Sequence, residues 1–333
     1  MKAERSLSYD LGGHRLEVVT THDDLQDHFA RHYAAFRAEM THAPIGFRLD
    51  LAEGEVPGPP AGFRLVFDGA IPVDGPCRLF ASDDGTYLLF PDCALRIDRR
   101  QHLGRITVAP GHAERMRRTI GVAAIEAAAD DAGQVMLHAA GLTLPGDGRC
   151  ILIHAPSGTG KSTTALALMH AGFGLCSDDA VFVRTDAAGI SAWGFPSDVK
   201  VHRNTLRLMP WLAPSLTGDW NSEDERPVRW QALGPLGRVE DRSPRPIAAL
   251  FRLARAASDA SEIVPVGRAE ILASLAADNV RTGLTGLLPL QRHRFDMIAR
   301  LAATVPVYEL RAGRDVAGLA DIVSAKLREP PPA

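Results

Sequence analysis

The segment Ala155-Pro156-Ser157-Gly158-Thr159-Gly160-Lys161-Ser162-Thr163 constrains this chain more than any other. The apolar run at 150–154 before it predicts a buried strand. The run from Lys161 to His170 after it predicts a helix, closed by Gly172. Ala155 stands where the usual GxxxxGK[ST] pattern has its first glycine, and the remaining positions fit. Gly158 and Gly160 let backbone N–H groups turn inward around phosphate oxygens. The helix N-terminus adds unpaired donors and a positive dipole end. Lys161 would reach the β- and γ-phosphates, and the Ser162 hydroxyl would ligate Mg²⁺. The expectation is a site for a nucleoside triphosphate and Mg²⁺ made by Ser157, Gly158, Thr159, Gly160, Lys161, Ser162 and Thr163. The bland reading, a glycine-rich turn with an incidental lysine, is disfavoured by the strand and helix on either side.

Composition narrows the function classes. The chain has 333 residues, is 46% hydrophobic and carries a net charge of −3, so no basic excess argues for nucleic acid. Its only lysines are Lys2, Lys161, Lys200 and Lys326, which singles out the one in the glycine-rich segment. Cys77, Cys93, Cys150 and Cys176 form no CxxC pair, so neither a zinc site nor a disulfide framework is expected. No run of 18 or more apolar residues appears, and the N-terminus lacks an apolar leader. The expected setting is cytoplasmic, without a membrane partner.

Asp178-Asp179 follows Lys161 closely. The intervening helix runs away for about ten residues, or about 15 Å. Gly172 and Gly174 allow a reversal, and the short strand at 173–176 returns to the edge from which the helix left. Ligands in α/β sheets sit at the carboxyl ends of strands. Two adjacent carboxylates there can divide labour, one accepting a proton and one binding metal. Asp178 is assigned as the base and Asp179 as the metal ligand, the reverse allocation remaining open. Alone, Ser177-Asp178-Asp179 would be read as a solvated turn.

His138 lies in a predicted strand at 134–144. A tight turn centred on Asp147-Gly148 would set it opposite Ser157, or opposite Pro156 after a one-residue slip. It would then hydrogen-bond an aspartate or contact the acceptor. A histidine packed at a strand end and satisfied by backbone is the equal alternative.

Residues 1–110 read as a small α+β region of hairpins and one helix, with no recognisable catalytic residues. Residues 111–329 read as the catalytic domain, and 330–333 as a disordered Pro-rich tail. Residues 210–246 form a long excursion rich in Pro, Trp and charge, a candidate acceptor lid. Any of its Arg226, Arg229, Arg238, Arg242 and Arg245, or Arg281 in Val280-Arg281-Thr282-Gly283, would supply positive charge to the transferring group or an acidic acceptor, although a solvated surface arginine is the favoured reading for each one singly. Arg281 is preferred, because the glycine lets backbone approach a ligand.

Three stretches together resemble the HPr serine kinase family: Leu137-His138-Ala139-Ala140-Gly141, then 156–165 around Lys161, then Ser177-Asp178-Asp179. The likeness covers about residues 134–202. Gly194-Phe195-Pro196, Lys200, and the ending at 305–315 are similar to its HPr-kinase-related branch. The resemblance implies an α/β fold (α+β overall) with a P-loop kinase core and mixed sheet, related to phosphoenolpyruvate carboxykinases. It also implies ATP, Mg²⁺ and a serine hydroxyl on a small protein or peptide as acceptor, with a homo-oligomer allowed. The glycine-rich phosphorolysis signature of the bifunctional enzymes has no match at 194–208, so phosphorylase activity and HPr itself are not implied. Related kinases modify peptides in tailoring clusters. Two readings compete with a protein or peptide kinase: a small-molecule kinase, and a non-catalytic ATP-binding regulator. Carboxykinase chemistry is disfavoured, because no second Lys/His metal constellation is found.

Overall fold

The computed structural model describes residues 3–38, 43–71, 74–187, 189–240, 242–280 and 289–329, the last without the side chains of 289 and 290. The Pro-rich tail at 330–333 and the preferred Arg281 lie outside the described residues. The protein is mixed α and β, with two large mixed sheets. It divides into two units, 1–135 with 281–292, and 136–280 with 293–333. Among the described residues no helix is long and apolar enough to cross a membrane.

The first unit contains β1 (Arg5–Asp10), β2 (Arg15–Thr20), α1 (Asp23–His32), β3 (Phe47–Glu53), β4 (Arg64–Ile71), β5 (Gly75–Ala81), β6 (Gly85–Leu89), β7 (Cys93–Asp98), β8 (Leu103–Val108) and α2 (Thr119–Asp131). Its eight-stranded sheet runs β1-β2-β3-β8-β7-β6-β5-β4. Helix α2 buries Ile120, Ala124, Ile125 and Ala128 at near-helical spacing and packs on β3, β7 and β8. That packing moves the unit boundary from the expected 110 to 135: the helix completes the first sheet's core rather than opening the second unit.

The second unit begins with β9 (Val135–His138), β10 (Ala140–Thr143), β11 (Cys150–His154), α3 (Lys161–His170), β12 (Gly174–Ser177), β13 (Ala180–Asp186) and β14 (Gly189–Gly194). It continues with β15 (Val199–His202), α4 (Arg203–Leu208), β16 (Glu225–Val228), α5 (Trp230–Leu233), β17 (Arg245–Arg255), β18 (Glu262–Pro265) and α6 (Arg268–Asn279). It ends with α7 (Pro289–Thr304), β19 (Val307–Ala312) and α8 (Leu319–Arg328). Its large sheet follows the order β12-β10-β11-β17-β14-β13-β9, with β19 also beside β17 and β18 beside β19. Strands β11, β17 and β19 are parallel. Strand β10 is antiparallel to both β11 and β12, so β11 and β12 point the same way with β10 between them. The expected parallel return is therefore present, one strand removed. Helix α3 packs over β10, β11 and β12. Leu142, Ile151, Ile153, Leu168 and Phe251 fill the core.

Two expectations are corrected. The predicted strand at 134–144 is broken at Ala139, whose N–H donates to the Leu137 carbonyl at 3.0 Å. The first half joins β13 and the second joins β11 and β12, so one stretch of chain serves both ends of the sheet. The hairpin register is also shifted. Ala140 faces Ile153, Thr143 faces Cys150, and Leu144 N–H donates to the Arg149 carbonyl at 2.8 Å. The connection is thus a four-residue loop, with Gly146 and Gly148 at positive φ, and not a two-residue turn. The excursion at 210–246 is more ordered than expected: β16 pairs with β15 and α5 follows it.

Gly194 ends β14 against the backbone of Cys176, one residue before the turn that carries the acidic pair. A Cβ there would overlap the Cys176 carbonyl oxygen, and backbone on both sides cannot yield cheaply. Gly194→Ala should therefore lower stability by about 1–3 kcal/mol in denaturant unfolding. An unchanged midpoint would show that β12 and β14 are not held this closely.

Candidate functional site

The carboxyl ends of β11, β12 and β17 share one edge of the second unit's sheet. From β11 the chain enters the glycine-rich loop. Gly158 has φ 76° and Gly160 φ 115°, values that L side chains rarely adopt, so glycine is required at both. The Thr159 hydroxyl donates to the Pro156 carbonyl at 2.8 Å and braces the turn. Arg255, the last residue of β17, donates from Nη2 to the Gly158 carbonyl at 2.6 Å. The first-turn N–H groups of α3 have no intrahelical acceptors, and they open toward this loop.

Lys161 begins α3, and its side chain is only 8% exposed, with Nζ 3.8 Å from Asp179 Oδ1. Burial pulls its pKa down, opposed by the charges of Asp179 and Asp178. His138 Nε2 lies 3.1 Å from the same Asp179 oxygen. Asp178 is 3% exposed, and the Ser162 hydroxyl donates to its carboxylate. Burial pushes the Asp178 carboxyl up to about 7, which the Ser162 hydrogen bond reduces and the neighbouring Asp179 charge adds to. Asp179, by contrast, is 65% exposed at its side chain. The His138 hydrogen bond holds its carboxyl below the usual range, helped by the charges of His138 and Lys161 and, further off, Lys200.

Of the residues singled out from sequence, His138, Lys161, Ser162, Asp178 and Asp179 come together here. Ser157, Gly158, Thr159 and Gly160 form the loop beside them. Thr163 differs: its hydroxyl shares a 2.6 Å hydrogen bond with Thr205 of α4, so only its backbone N–H faces the loop side. His138 arrives by the strand break at Ala139 and not by the expected register. Two arginines of the excursion are placed elsewhere. Arg238 and Arg245 pair with Glu240, at 2.6 and 3.3 Å, and Thr143 also donates to Glu240. That cluster surrounds Gly174, at the amino end of β12 and away from Asp178.

Four residues at this edge carried no role in the sequence. Arg255 and Lys200 are cations, and His154 and Asn279 are buried polar groups. Lys200, one of four lysines and part of the noted resemblance, and His154, closing an otherwise apolar strand, had a visible signal. Among the described residues no group of three or more His, Cys, Asp or Glu side chains could hold a metal by itself. Ser162 and Asp178 do supply two adjacent oxygen donors of the kind Mg²⁺ prefers.

The raised Asp178 value has a measurable consequence. The native state keeps this proton longer than the unfolded chain, so its contribution is fully present below pH about 4. It is lost as pH rises through about 7. Asp178→Asn should raise the thermal midpoint of the ligand-free protein at pH 8 by several degrees and change it little at pH 4. A lower midpoint at pH 8 would contradict the burial cost. No protein-family model matches the chain, and no curated protein matches it.

Proposed function

We propose that the second unit is a P-loop kinase core of the HPr kinase and phosphoenolpyruvate carboxykinase type. In this reading it binds ATP with Mg²⁺ and transfers the γ-phosphoryl group to a hydroxyl of a small protein or peptide. The observation that carries the reading is the convergence of Lys161, His138 and Asp178-Asp179 beside a glycine-rich strand-to-helix loop, with His138 and Lys161 at 3.1 and 3.8 Å from one Asp179 oxygen. A structural turn has no need of a buried lysine, a buried carboxylate and a histidine together.

Each residue has a role that follows from its surroundings. The loop N–H groups and Lys161 bind and orient the phosphates. Ser162 and Asp178 would hold the metal: Asp178 is buried and hydrogen-bonded to the Ser162 hydroxyl, and the Lys161 charge offsets only part of its burial. Mg²⁺ supplies charge neutralisation on the β- and γ-oxygens when bound. Asp179 takes the role of base by access and not by basicity: it is exposed to an arriving hydroxyl while Asp178 is not. This reading takes the reverse of the preferred allocation, the alternative that the sequence left open. Asp179 takes the acceptor's proton as the acceptor oxygen bonds to the γ-phosphorus and the bond to the β-γ bridging oxygen breaks, releasing ADP. His138 orients Asp179 by its hydrogen bond. Lys200 on β15 adds positive potential near Asp179. The exposure of Asp179 and of Pro156, Ser157 and Gly158 suits an acceptor as bulky as a polypeptide.

The test is γ-labelled ATP with Mg²⁺, the purified chain, and a panel of serine-containing peptides and small proteins encoded beside its gene, with free serine as a control. Label should appear on a peptide or protein serine. Lys161→Ala should lose nucleotide affinity and transfer together. Asp179→Asn should keep nucleotide affinity and lose transfer by about 10² or more. Full transfer by Asp179→Asn would remove it as base and return that role to Asp178. Label on free serine alone would make the acceptor a small molecule, and nucleotide binding with no transfer to any acceptor would make the chain a nucleotide-dependent regulator.

Arg255 offers a separate check on the loop. Losing its hydrogen bond to Gly158 frees the loop apex, so Arg255→Ala should weaken ATP binding by about 10-fold, read by calorimetry. Unchanged affinity would mean that the loop holds its shape without this brace.

A further inference from the structure

The break between β9 and β10 creates an accounting problem. Ala139 N–H turns back to the Leu137 carbonyl, so His138 is the central residue of a γ-turn. Its own N–H and C=O, at the end of β9, then need partners in a part of the sheet where unpaired backbone groups are costly. Two side chains take them up. Asn279, the last residue of α6 and 6% exposed, accepts the His138 N–H at its Oδ1 over 2.7 Å. His154, the last residue of β11 and 1% exposed, donates from Nδ1 to the His138 carbonyl at 3.3 Å.

Both side chains are themselves locked. Asn279 Nδ2 donates to the Leu275 carbonyl one turn back at 3.0 Å, which fixes which end of the amide faces His138. Arg294 donates to the Asn279 carbonyl at 3.4 Å. With its proton on Nδ1, the His154 ring accepts at Nε2 from the Ser274 hydroxyl at 3.0 Å. Ser274 and Asn279 belong to the same helix, so α6 grips the His138 peptide directly on one side and through His154 on the other. His154 also precedes Ala155, the first residue of the glycine-rich loop.

We propose that Asn279 and His154 form a positioning clamp which holds the His138 peptide from both sides and so sets the His138 ring against Asp179. This rests on the phosphoryl-transfer reading above. The clamp touches no reacting atom: it acts through His138 alone. A loose His138 would leave Asp179 free to turn toward Lys161 and away from an arriving hydroxyl.

The experiment measures label leaving γ-labelled MgATP, to water or to serine-containing peptides, for the full chain and its variants. Asn279→Ala and His154→Leu should each lower kcat by about 10- to 100-fold with KM for ATP unchanged. His154→Asn, which keeps a donor where Nδ1 stood, should recover most of the loss. In a His138→Ala background neither substitution should cost anything further. Equal losses with and without His138, or a rise in KM for ATP matching the fall in kcat, would overturn the clamp and make both residues general supports of the fold. Transfer by the native chain that survives Asn279→Ala undiminished sinks the clamp but leaves the kinase reading standing. No label leaving ATP in the native chain sinks that reading, and the clamp's role with it. If the variants do not fold, amide hydrogen exchange in the native chain decides: the His138 N–H should be strongly protected, and rapid exchange would overturn the proposal.

Discussion

A buried lysine needs anions beside it, and the arrangement at the carboxyl edge of the second sheet follows from that need. Lys161 sits under the loop with little contact to water, so its ammonium is destabilised by burial and drawn toward Asp179 and Asp178. Asp178 is buried in turn, and the Ser162 hydroxyl, a backbone N–H and the nearby lysine offset only part of its own loss of water. Replacing such a group by an apolar one would favour the fold. Keeping it fits the proposed reading, in which phosphate oxygens would meet the lysine and a cation would meet Asp178. The strain is electrostatic and local, and it sits beside an apolar core that includes Leu142, Ile151, Ile153 and Phe251.

That edge exists because of how few strands carry it. β11 delivers the loop, β12 delivers the aspartates and β17 delivers Arg255, all pointing the same way. β10 lies between the first two, antiparallel to both, and it could not do so if the chain from 135 to 143 remained one straight strand. The turn at His138 lets the first half pair with β13 and the second half pair with β11 and β12. The same turn brings the histidine to the site. The His138 backbone groups at the turn are met by Asn279 and His154.

Much of this was readable in advance. The strand at 150–154, the helix at 161–170 and the returning strand before Asp178 came from local periodicity and glycine placement, and the structure forms all three. His138 was expected at the loop mouth on a hairpin register that the structure does not adopt; it arrives there by a different route. Arg281 was preferred for its neighbouring glycine and lies outside the described residues, whereas Asn279, two positions earlier, makes a 2.7 Å hydrogen bond to His138. Nothing near Asn279 in sequence could have signalled this, since its partner is 141 positions away. The helix at 119–131 was visible as a helix, but which sheet it would cover was not, and so the boundary between units moved.

The sequence by itself determined the chemistry on offer: a glycine-rich turn that only glycine can make, a lysine and hydroxyl at the start of a helix, and two adjacent carboxylates at the end of a short strand. These depend on φ/ψ preference and on spacing along one element, which are local properties. Only the tertiary structure decided how the carboxylates differ. Asp178 and Asp179 are chemically identical neighbours, and what separates them is that packing removes water from one while leaving the other exposed beside His138. Burial and long-range hydrogen bonding are sums over residues distant in sequence, so they come into being only once the chain has folded.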